Sequence, residues 1–139
     1  MRVLFDTNVL LDVLLDRQPF AASAAELLSL AERGQLQGYV CATSITTVFY
    51  LAAKATDAGT ARRLVEELMS IVEIAPVGRP TLEAALRSPM SDFEDAVIAE
   101  AAHATGCELL VSHDSKHFRR CPIPTQTPAD ALATLRAAR

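Results

Sequence analysis

Residues 2–12, RVLFDTNVLLD, contain the stretch that decides the fold of this chain. Strand-forming residues run from Val3 to Phe5 and stop on Asp6, and polar residues continue at Asn8 and Asp12 into a helical pattern. A carboxylate at the end of a buried strand is destabilising unless something compensates for its lost hydration. Asp6 is therefore either the cap of the first helix, a role that Thr7 could also fill, or a functional group.

Short strand patterns alternate with helical patterns along the rest of the chain. Such alternation is typical of a parallel sheet with helices on both faces. We therefore predict one α/β domain over residues 1–139, a three-layer α/β/α sandwich around a parallel sheet of four to five strands. The predicted strands are 3–5, 38–41, 71–74, 108–111 and a segment near Ile123, and the predicted helices are 8–15, 20–33, 44–56, 60–70, 81–87, 91–105 and 128–138.

The composition narrows the possible functions and locations of the protein. A net charge of −4 gives no overall attraction to nucleic acid, so RNA or DNA binding would need local basic patches or a bridging metal ion. The three cysteines, Cys41, Cys107 and Cys121, lack zinc or redox spacing and are expected to be buried thiols in a reducing compartment. No window approaches the roughly 18 apolar residues of a membrane span, so we predict a cytoplasmic protein.

Carboxylates occur in three segments that the predicted fold could bring together. Ligands of open α/β sheets bind beyond the carboxyl ends of the strands, where Asp6 and the sequence SHD at 112–114 both lie. Asp92, Glu94 and Asp95 open the helix predicted at 91–105. Oxygen ligands of this kind suit a hard cation such as Mg²⁺.

Some of these acids have structural explanations that compete with a role in a site. Ser91 followed by Glu94 reads as a capping box, which makes Glu94 structural. Asp92 and Asp95 share a helix face, as two ligands of one cation would, although the helix dipole also favours acids in the first turn. Asp114 could instead close an Asx-turn.

The polar stripe of the first helix is similarly ambiguous. Asn8, Asp12 and Asp16 are spaced four apart, opposite an apolar face. Asp16 is expected to be solvated, and Asp12 stays undecided between the site and the surface.

The histidines and the common catalytic motifs add little. His113 and His117 have the spacing of a zinc-binding pair, but no third ligand is evident in the sequence. There is no P-loop, no G-x-G-x-x-G turn and no G-x-S-x-G elbow, so neither a nucleotide cofactor nor a serine hydrolase is indicated.

Three stretches, VLFDTNVLLD at 3–12, DFEDAVIAEAA at 92–102 and LLVSHDSKHF at 109–118, follow one another in a recognisable order. Together they resemble the PIN-domain family, small metal-dependent nucleases that include the toxin ribonucleases of VapC-type toxin-antitoxin pairs. In that resemblance Asp6 takes the position of the first metal carboxylate and Asn8 that of a supporting amide. Asp95 takes the position of the helix acid, with Asp92 beside it.

The last motif and one departure complete the resemblance. The motif has a Thr or Ser, one residue, an acid and a nearby phenylalanine, which here correspond to Ser112, Asp114 and Phe118. The family commonly carries an acid in the helix after the second strand, but CATSITTVFYLAAK has none, and Thr47 is expected at that place. A hydroxyl can bind a metal-bound water but adds no charge.

The resemblance implies hydrolysis of RNA phosphodiester bonds with Mg²⁺ or Mn²⁺ held by acidic side chains, and Asn8 and Ser112 in support. It also implies a cognate antitoxin protein as a partner, and a homodimer. For the RNA substrate, residues 116–139 contain five basic residues against the single acid Asp130. An ordinary solvated surface is the alternative for this segment. The expected metal ligands are Asp6, Asp92, Asp95 and Asp114, and the substrate-binding candidates are Lys116, Arg119 and Arg120.

Two other classes of protein compete with this interpretation. A phosphatase of the haloacid-dehalogenase type also ends its first strand on an aspartate and uses Mg²⁺, but its D-x-D motif would need an acid where Asn8 stands. A phosphoaspartate receiver domain fits less well, because its aspartate ends a central strand rather than the first strand in the chain. Thr47 motivates the other alternative, a PIN-like RNA-binding module without nuclease activity.

Overall fold

A computed structural model of the protein describes residues 1–138 and contains a five-stranded, wholly parallel sheet within them. The strands lie in the order β3-β2-β1-β4-β5, so the first strand of the chain is central. Their bounds are β1 Arg2–Phe5, β2 Gln37–Cys41, β3 Glu73–Ala75, β4 Leu109–Val111 and β5 Thr125–Gln126.

Helices cover both faces of the sheet, which confirms the predicted three-layer α/β/α sandwich. Val3 and Phe5 of β1 pack into a core with helices on one face, and Leu4 packs into a second core on the other. Because both faces are covered, β1 is a continuous apolar run rather than an alternating one. The helices are α1 Thr7–Leu14, α2 Ala21–Glu32, α3 Ala42–Ala55, α4 Ala58–Ile71, α5 Arg79–Leu86, α6 Phe93–Ala104 and α7 Pro128–Ala137, with a 3₁₀ helix at Ser115–Phe118.

Most predicted elements are present, with shifted ends. The third strand was expected at 71–74, but Ile71 still belongs to α4 and the strand is Glu73–Ala75. The last strand follows Ile123 rather than containing it, since it pairs with β4 through Thr125 and Gln126. Gly34 and Gly106 end helices with φ of 74° and 78°, as their positions predicted.

The cysteines are unpaired in the structure. Cys41 and Cys107 are buried, as predicted, whereas Cys121 is only half-buried. Burial raises the pKa of the Cys107 thiol to about 11, so this thiol is held in its neutral form. Within residues 1–138, no helix has the length and apolarity needed to cross a membrane.

Gly38 on β2 provides a test of how tightly this sheet is packed. A Cβ at this position would lie 2.9 Å from Cε2 of Phe5 and 3.1 Å from Cβ of Ala31. We expect Gly38→Ala to destabilise the protein by about 1–3 kcal/mol, because neither a core ring nor a helix methyl can easily move away. Urea unfolding followed by circular dichroism would measure the change.

Gly78→Ala is the matched control for this substitution. Gly78 is exposed, and its nearest neighbour to an added Cβ is Cδ of Pro80 at 3.8 Å, an ordinary contact. Its stability should change by less than about 1 kcal/mol. Equal urea midpoints for the two variants would contradict the tight packing of β2 against β1.

Candidate metal centre

The strand order places two polar segments at one edge of the sheet. β1 and β4 are parallel neighbours, and Phe5 is in register with Val111. Asp6 therefore leaves the sheet beside Ser112, and the backbone N–H of Asp6 donates to the Val111 carbonyl at 2.8 Å. The predicted convergence of Asp6 with the SHD segment at the carboxyl edge is confirmed.

Asp6 is buried, with 5% of its surface exposed. Its Oδ1 accepts a hydrogen bond from the Thr7 N–H at 2.8 Å, so Asp6 rather than Thr7 caps α1. Its Oδ2 accepts from the Ser112 hydroxyl, also at 2.8 Å. Burial raises the pKa of Asp6, and the bonds from Ser112 and Thr7 offset this only in part. Capping and site residue are thus not alternatives for Asp6, since one carboxylate has the position for both.

The Ser112 hydroxyl links the residues around Asp6. While it donates to Asp6, it accepts from Nδ2 of Asn8 at 3.2 Å and from the backbone N–H of Asp114 at 3.0 Å. One donor and two acceptor sites are all that a hydroxyl has. Ser112 is consequently fully hydrogen-bonded and completely buried, which fixes the separation of Asp6 from the Asp114 backbone.

The acids at the start of α6 are arranged differently from the prediction. Asp92, not Ser91, is the N-cap of α6, and its carboxylate accepts from the Asp95 N–H at 2.9 Å. The predicted Ser91–Glu94 capping box was therefore wrong. The helix begins two residues later than expected, and a carboxylate accepts the hydrogen bond expected for the serine hydroxyl. Asp92 thus has a structural role whether or not it binds metal.

Asp95 lies near the Asp6 side of the site. Partial burial raises its pKa to about 6, and the negative charges of Asp92 and Asp6 add to the effect. The charge of Asp114 in turn raises the pKa of Asp6. The acids from all three segments are hence close enough to repel one another, as carboxylates gathered for a cation would.

Asp114 differs from Asp6 in being accessible to water. Its side chain is 52% exposed, and its Oδ2 lies 3.5 Å from Nε2 of His113. It stands at the start of the 3₁₀ helix without a side-chain capping bond. The Asx-turn considered for Asp114 is therefore not formed.

Thr47 does not contact the carboxylates. It is exposed on α3, and its hydroxyl donates to the Thr43 carbonyl of its own helix at 3.3 Å. It lines a groove that also includes Thr7 and Glu94. α3 contributes a hydroxyl to this side of the site and no charge.

An Asp12–His113 pair is the part of the site that the sequence left undecided. Asp12 is completely buried, so the surface alternative for it was wrong, whereas Asp16 is exposed as expected. Its Oδ2 lies 2.6 Å from Nδ1 of His113, and the Phe20 ring stacks on the imidazole with centroids 4.5 Å apart. The spacing of Asp12 from Asn8 was the only sequence signal, since His113 is 101 residues further along the chain.

The basic candidates share a groove beside these acids. Lys116, Arg119 and Arg120 are exposed and line a cleft together with His117 and residues 89–91, next to the Asp92 cap. Arg136 lies elsewhere and pairs with Glu26 of α2, and Arg139 is outside the described residues.

The donor set fits Mg²⁺ better than zinc. In residues 1–138, no three His, Cys, Asp or Glu side chains stand close enough together to enclose an ion unaided. His113 is directed to Asp12, so the zinc-pair idea has no support. Mg²⁺ usually keeps several waters and takes only one or two carboxylates, which mutually repelling oxygen donors can provide. The arrangement suits a hydrated divalent cation at the sheet edge.

Fold and site together define a class: a parallel α/β protein with acidic side chains at the carboxyl edge of its sheet. The family model of the PIN domain matches residues 2–116. The chain therefore belongs to the PIN domain family.

Known relatives agree with this assignment. The chain is 25% identical over 122 residues to Ribonuclease VapC1 from Aquifex aeolicus (strain VF5), covering 84% of both. Its fold resembles VapBC2 from Rickettsia felis, solved bound to a promoter DNA fragment, with TM-score 0.71, 17% identity and coverage of 91% of this chain and 98% of that one. A toxin-antitoxin complex from Klebsiella pneumoniae matches at TM-score 0.69 and 24% identity, covering 91% and 97%.

Mutual repulsion of the acids predicts a pH-dependent stability for the metal-free protein. The folded state keeps the Asp95 proton up to pH about 6, whereas the unfolded chain releases it near 3.8. The folded state therefore binds more protons in this window, and the contribution of Asp95 to stability falls as pH rises through it. Relative to wild type, Asp95→Asn should gain stability between pH 4 and pH 6 and then level off.

Urea unfolding in EDTA at a series of pH values would measure this difference. Glu94→Gln removes a carboxylate from the same turn of α6, but Glu94 is exposed to water. It should not reproduce the pH-dependent gain. A difference between Asp95→Asn and wild type that is constant from pH 4 to pH 7 would contradict the electrostatic description of the site.

Proposed function

We propose that this protein is a divalent-metal-dependent endoribonuclease that hydrolyses RNA phosphodiester bonds. The observation that carries the proposal is the repulsion among Asp6, Asp95 and Asp114, which raises carboxyl pKa values in a PIN-domain chain. Such an arrangement is unfavourable without a cation and becomes favourable with one. The activity in the name of the relative Ribonuclease VapC1 supports the same reaction.

The site residues would divide into ligands and supports. Asp6, Asp95 and Asp114 would hold Mg²⁺ or Mn²⁺, with Asp92 as a further ligand. A bound cation of this kind supplies an activated water and offsets negative charge on the phosphate. Ser112 would fix the orientation of the Asp6 carboxylate through its 2.8 Å hydrogen bond, and Asn8 would hold Ser112 in turn.

The RNA backbone would enter along the basic groove. Lys116, Arg119 and Arg120 are exposed in the cleft beside residues 89–91, which lead directly to Asp92. A polyanion bound there would have its phosphates close to the acidic edge without the acids having to attract it. This groove supplies the local positive charge that the overall net charge of −4 does not.

The relatives further support a role as the toxin of a toxin-antitoxin pair. The fold is shared with VapBC2 from Rickettsia felis and with a toxin-antitoxin complex from Klebsiella pneumoniae. The partner would be a small antitoxin protein that covers the site, and the toxin would be a single-domain, cytoplasmic homodimer. Tyr50 on α3 is 63% exposed and is available for such contacts.

One alternative keeps a specific observation in its favour. The Thr47 hydroxyl is bonded within α3, so that helix adds no carboxylate to the site. This favours an RNA-binding module with weak or no nuclease activity. Membership of the PIN domain family decides against the haloacid-dehalogenase and receiver alternatives.

Cleavage of a labelled single-stranded RNA should require Mg²⁺ or Mn²⁺ and the Asp6 carboxylate. We expect Asp6→Asn to lower the cleavage rate by at least about 100-fold, because an amide neither carries the charge nor binds the cation as tightly. Gel analysis of time courses in each metal and in EDTA would measure this.

Asp16→Asn is the matched control for the same chemical change. Asp16 is exposed and has a φ of 50°, a conformation that asparagine tolerates as well as aspartate does. It should cleave like wild type. No cleavage by wild type in either metal would favour the inactive binding module, and equal cleavage by wild type and Asp6→Asn would point to a contaminating nuclease.

The basic groove predicts a change in the salt dependence of RNA binding. Replacing Lys116, Arg119 and Arg120 together by Ala should weaken binding and reduce the slope of log K against log salt by roughly 2, at about 0.7 per phosphate contact. Fluorescence anisotropy in EDTA, which prevents cleavage, would measure this.

The control for the basic groove removes the same charge elsewhere on the surface. Arg33, Arg62 and Arg63 are also exposed, and replacing these three by Ala should leave the slope nearly unchanged. Equal slopes for the two triple variants would show that only net charge matters and that the groove is not the binding site.

A further inference from the structure

We propose that His113 is a positioning residue that holds the Asp114 carboxylate in place, and that buried Asp12 and the Phe20 ring set the orientation of His113. This inference rests on the proposed function, since it assigns Asp114 to the metal site. The juxtaposition that carries it is a histidine between two carboxylates. Nδ1 lies 2.6 Å from Oδ2 of Asp12, and Nε2 lies 3.5 Å from Oδ2 of Asp114.

Asp12 shows that the pair is more than core packing. It is completely buried inside an otherwise apolar helix face, and its Oδ1 has no hydrogen-bond partner among the described residues. A buried carboxylate with one unpaired oxygen destabilises a fold relative to an apolar side chain. Violations of this kind are expected at functional sites, where stability is not the quantity under selection.

Three contacts restrict the imidazole ring. Asp12 holds Nδ1, Phe20 stacks on the ring face with planes 30° apart, and the backbone N–H of His113 donates to Oδ1 of Asn8 at 3.3 Å. With Nδ1 and the ring face both occupied, Nε2 has only one direction in which to point. That direction leads to Asp114.

Asp114 needs such a restraint more than Asp6 does. Its side chain is 52% exposed and makes no capping bond, while its backbone N–H is held by Ser112. The backbone is therefore fixed and the carboxylate is free to rotate, except where His113 contacts it. Groups that orient a metal ligand in this way typically change metal affinity or activity 10–100-fold when they are removed.

Two substitutions at His113 separate positioning from a purely structural role. His113→Asn places an amide N–H near the position of Nδ1, so it keeps the bond to Asp12 but cannot reach Asp114. His113→Gln places its amide near Nε2, so it keeps the reach to Asp114 but weakens the bond to Asp12. Positioning predicts opposite rankings in two assays: His113→Asn is the more stable without metal, and His113→Gln is the tighter binder of Mn²⁺.

The measurements are urea unfolding in EDTA and Mn²⁺ binding by calorimetry, with the Mn²⁺-induced rise in melting temperature as a second readout. We expect His113→Asn to bind Mn²⁺ about 10–100-fold more weakly than wild type. In an Asp114→Asn background the same change should have no further effect, because the two residues act through one contact. His103→Asn, at an exposed position near the end of α6, is the matched control and should match wild type in both assays.

Each outcome decides the matter. Should wild type itself show neither Mn²⁺ binding nor a melting shift, the proposed function fails and this inference falls with it. If wild type binds and His113→Asn binds equally well, only the inference is overturned. A loss that persists in the Asp114→Asn background also overturns it, since the effect then does not pass through Asp114.

Phe20→Leu covers the case in which the His113 variants do not fold. It removes the stacked ring and leaves every polar group of the site intact. Weaker Mn²⁺ binding with unchanged unfolding in EDTA would support restraint of the imidazole, and unchanged binding would overturn the part assigned to Phe20.

Discussion

The structure depends on the compensation of one buried carboxylate at the end of its central strand. Asp6 is almost inaccessible to water, and its two oxygens accept from the Thr7 N–H and the Ser112 hydroxyl. The first bond starts α1 and the second connects β1 to the end of β4. An uncompensated carboxylate in this position would oppose folding, so helix start, strand pairing and site geometry are satisfied together or not at all.

Compensation is incomplete around Asp6, and this separates stability from function in the molecule. The pKa values of Asp6 and Asp95 are raised, and Oδ1 of Asp12 is unpaired within the described chain. A fold selected for stability alone would replace such groups by apolar or neutral ones. Their presence at one edge of the sheet is physically sensible when a cation binds there, because the cation turns repulsion into attraction.

Local patterns predicted much of this arrangement from the sequence. Strand β1, the glycine ends at Gly34 and Gly106, and Asp6 at the sheet edge were all readable, because each depends on neighbouring residues. The start of α6 was misplaced, because serine and aspartate both cap helices and only the backbone decides between Ser91 and Asp92. Asp12 stayed undecided because its partner, His113, comes from the other strand segment of the site.

By itself, the sequence determined the class of fold, the family motifs and the acids that could serve a metal. These follow from periodicity and residue type, which act over a few positions. Only the tertiary structure decided which groups touch: that Ser112 holds Asp6, that Thr47 bonds within its own helix, and that His113 lies between Asp12 and Asp114. The reason is physical, since hydrogen bonds between residues about a hundred positions apart depend on strand order and register, which no local pattern specifies.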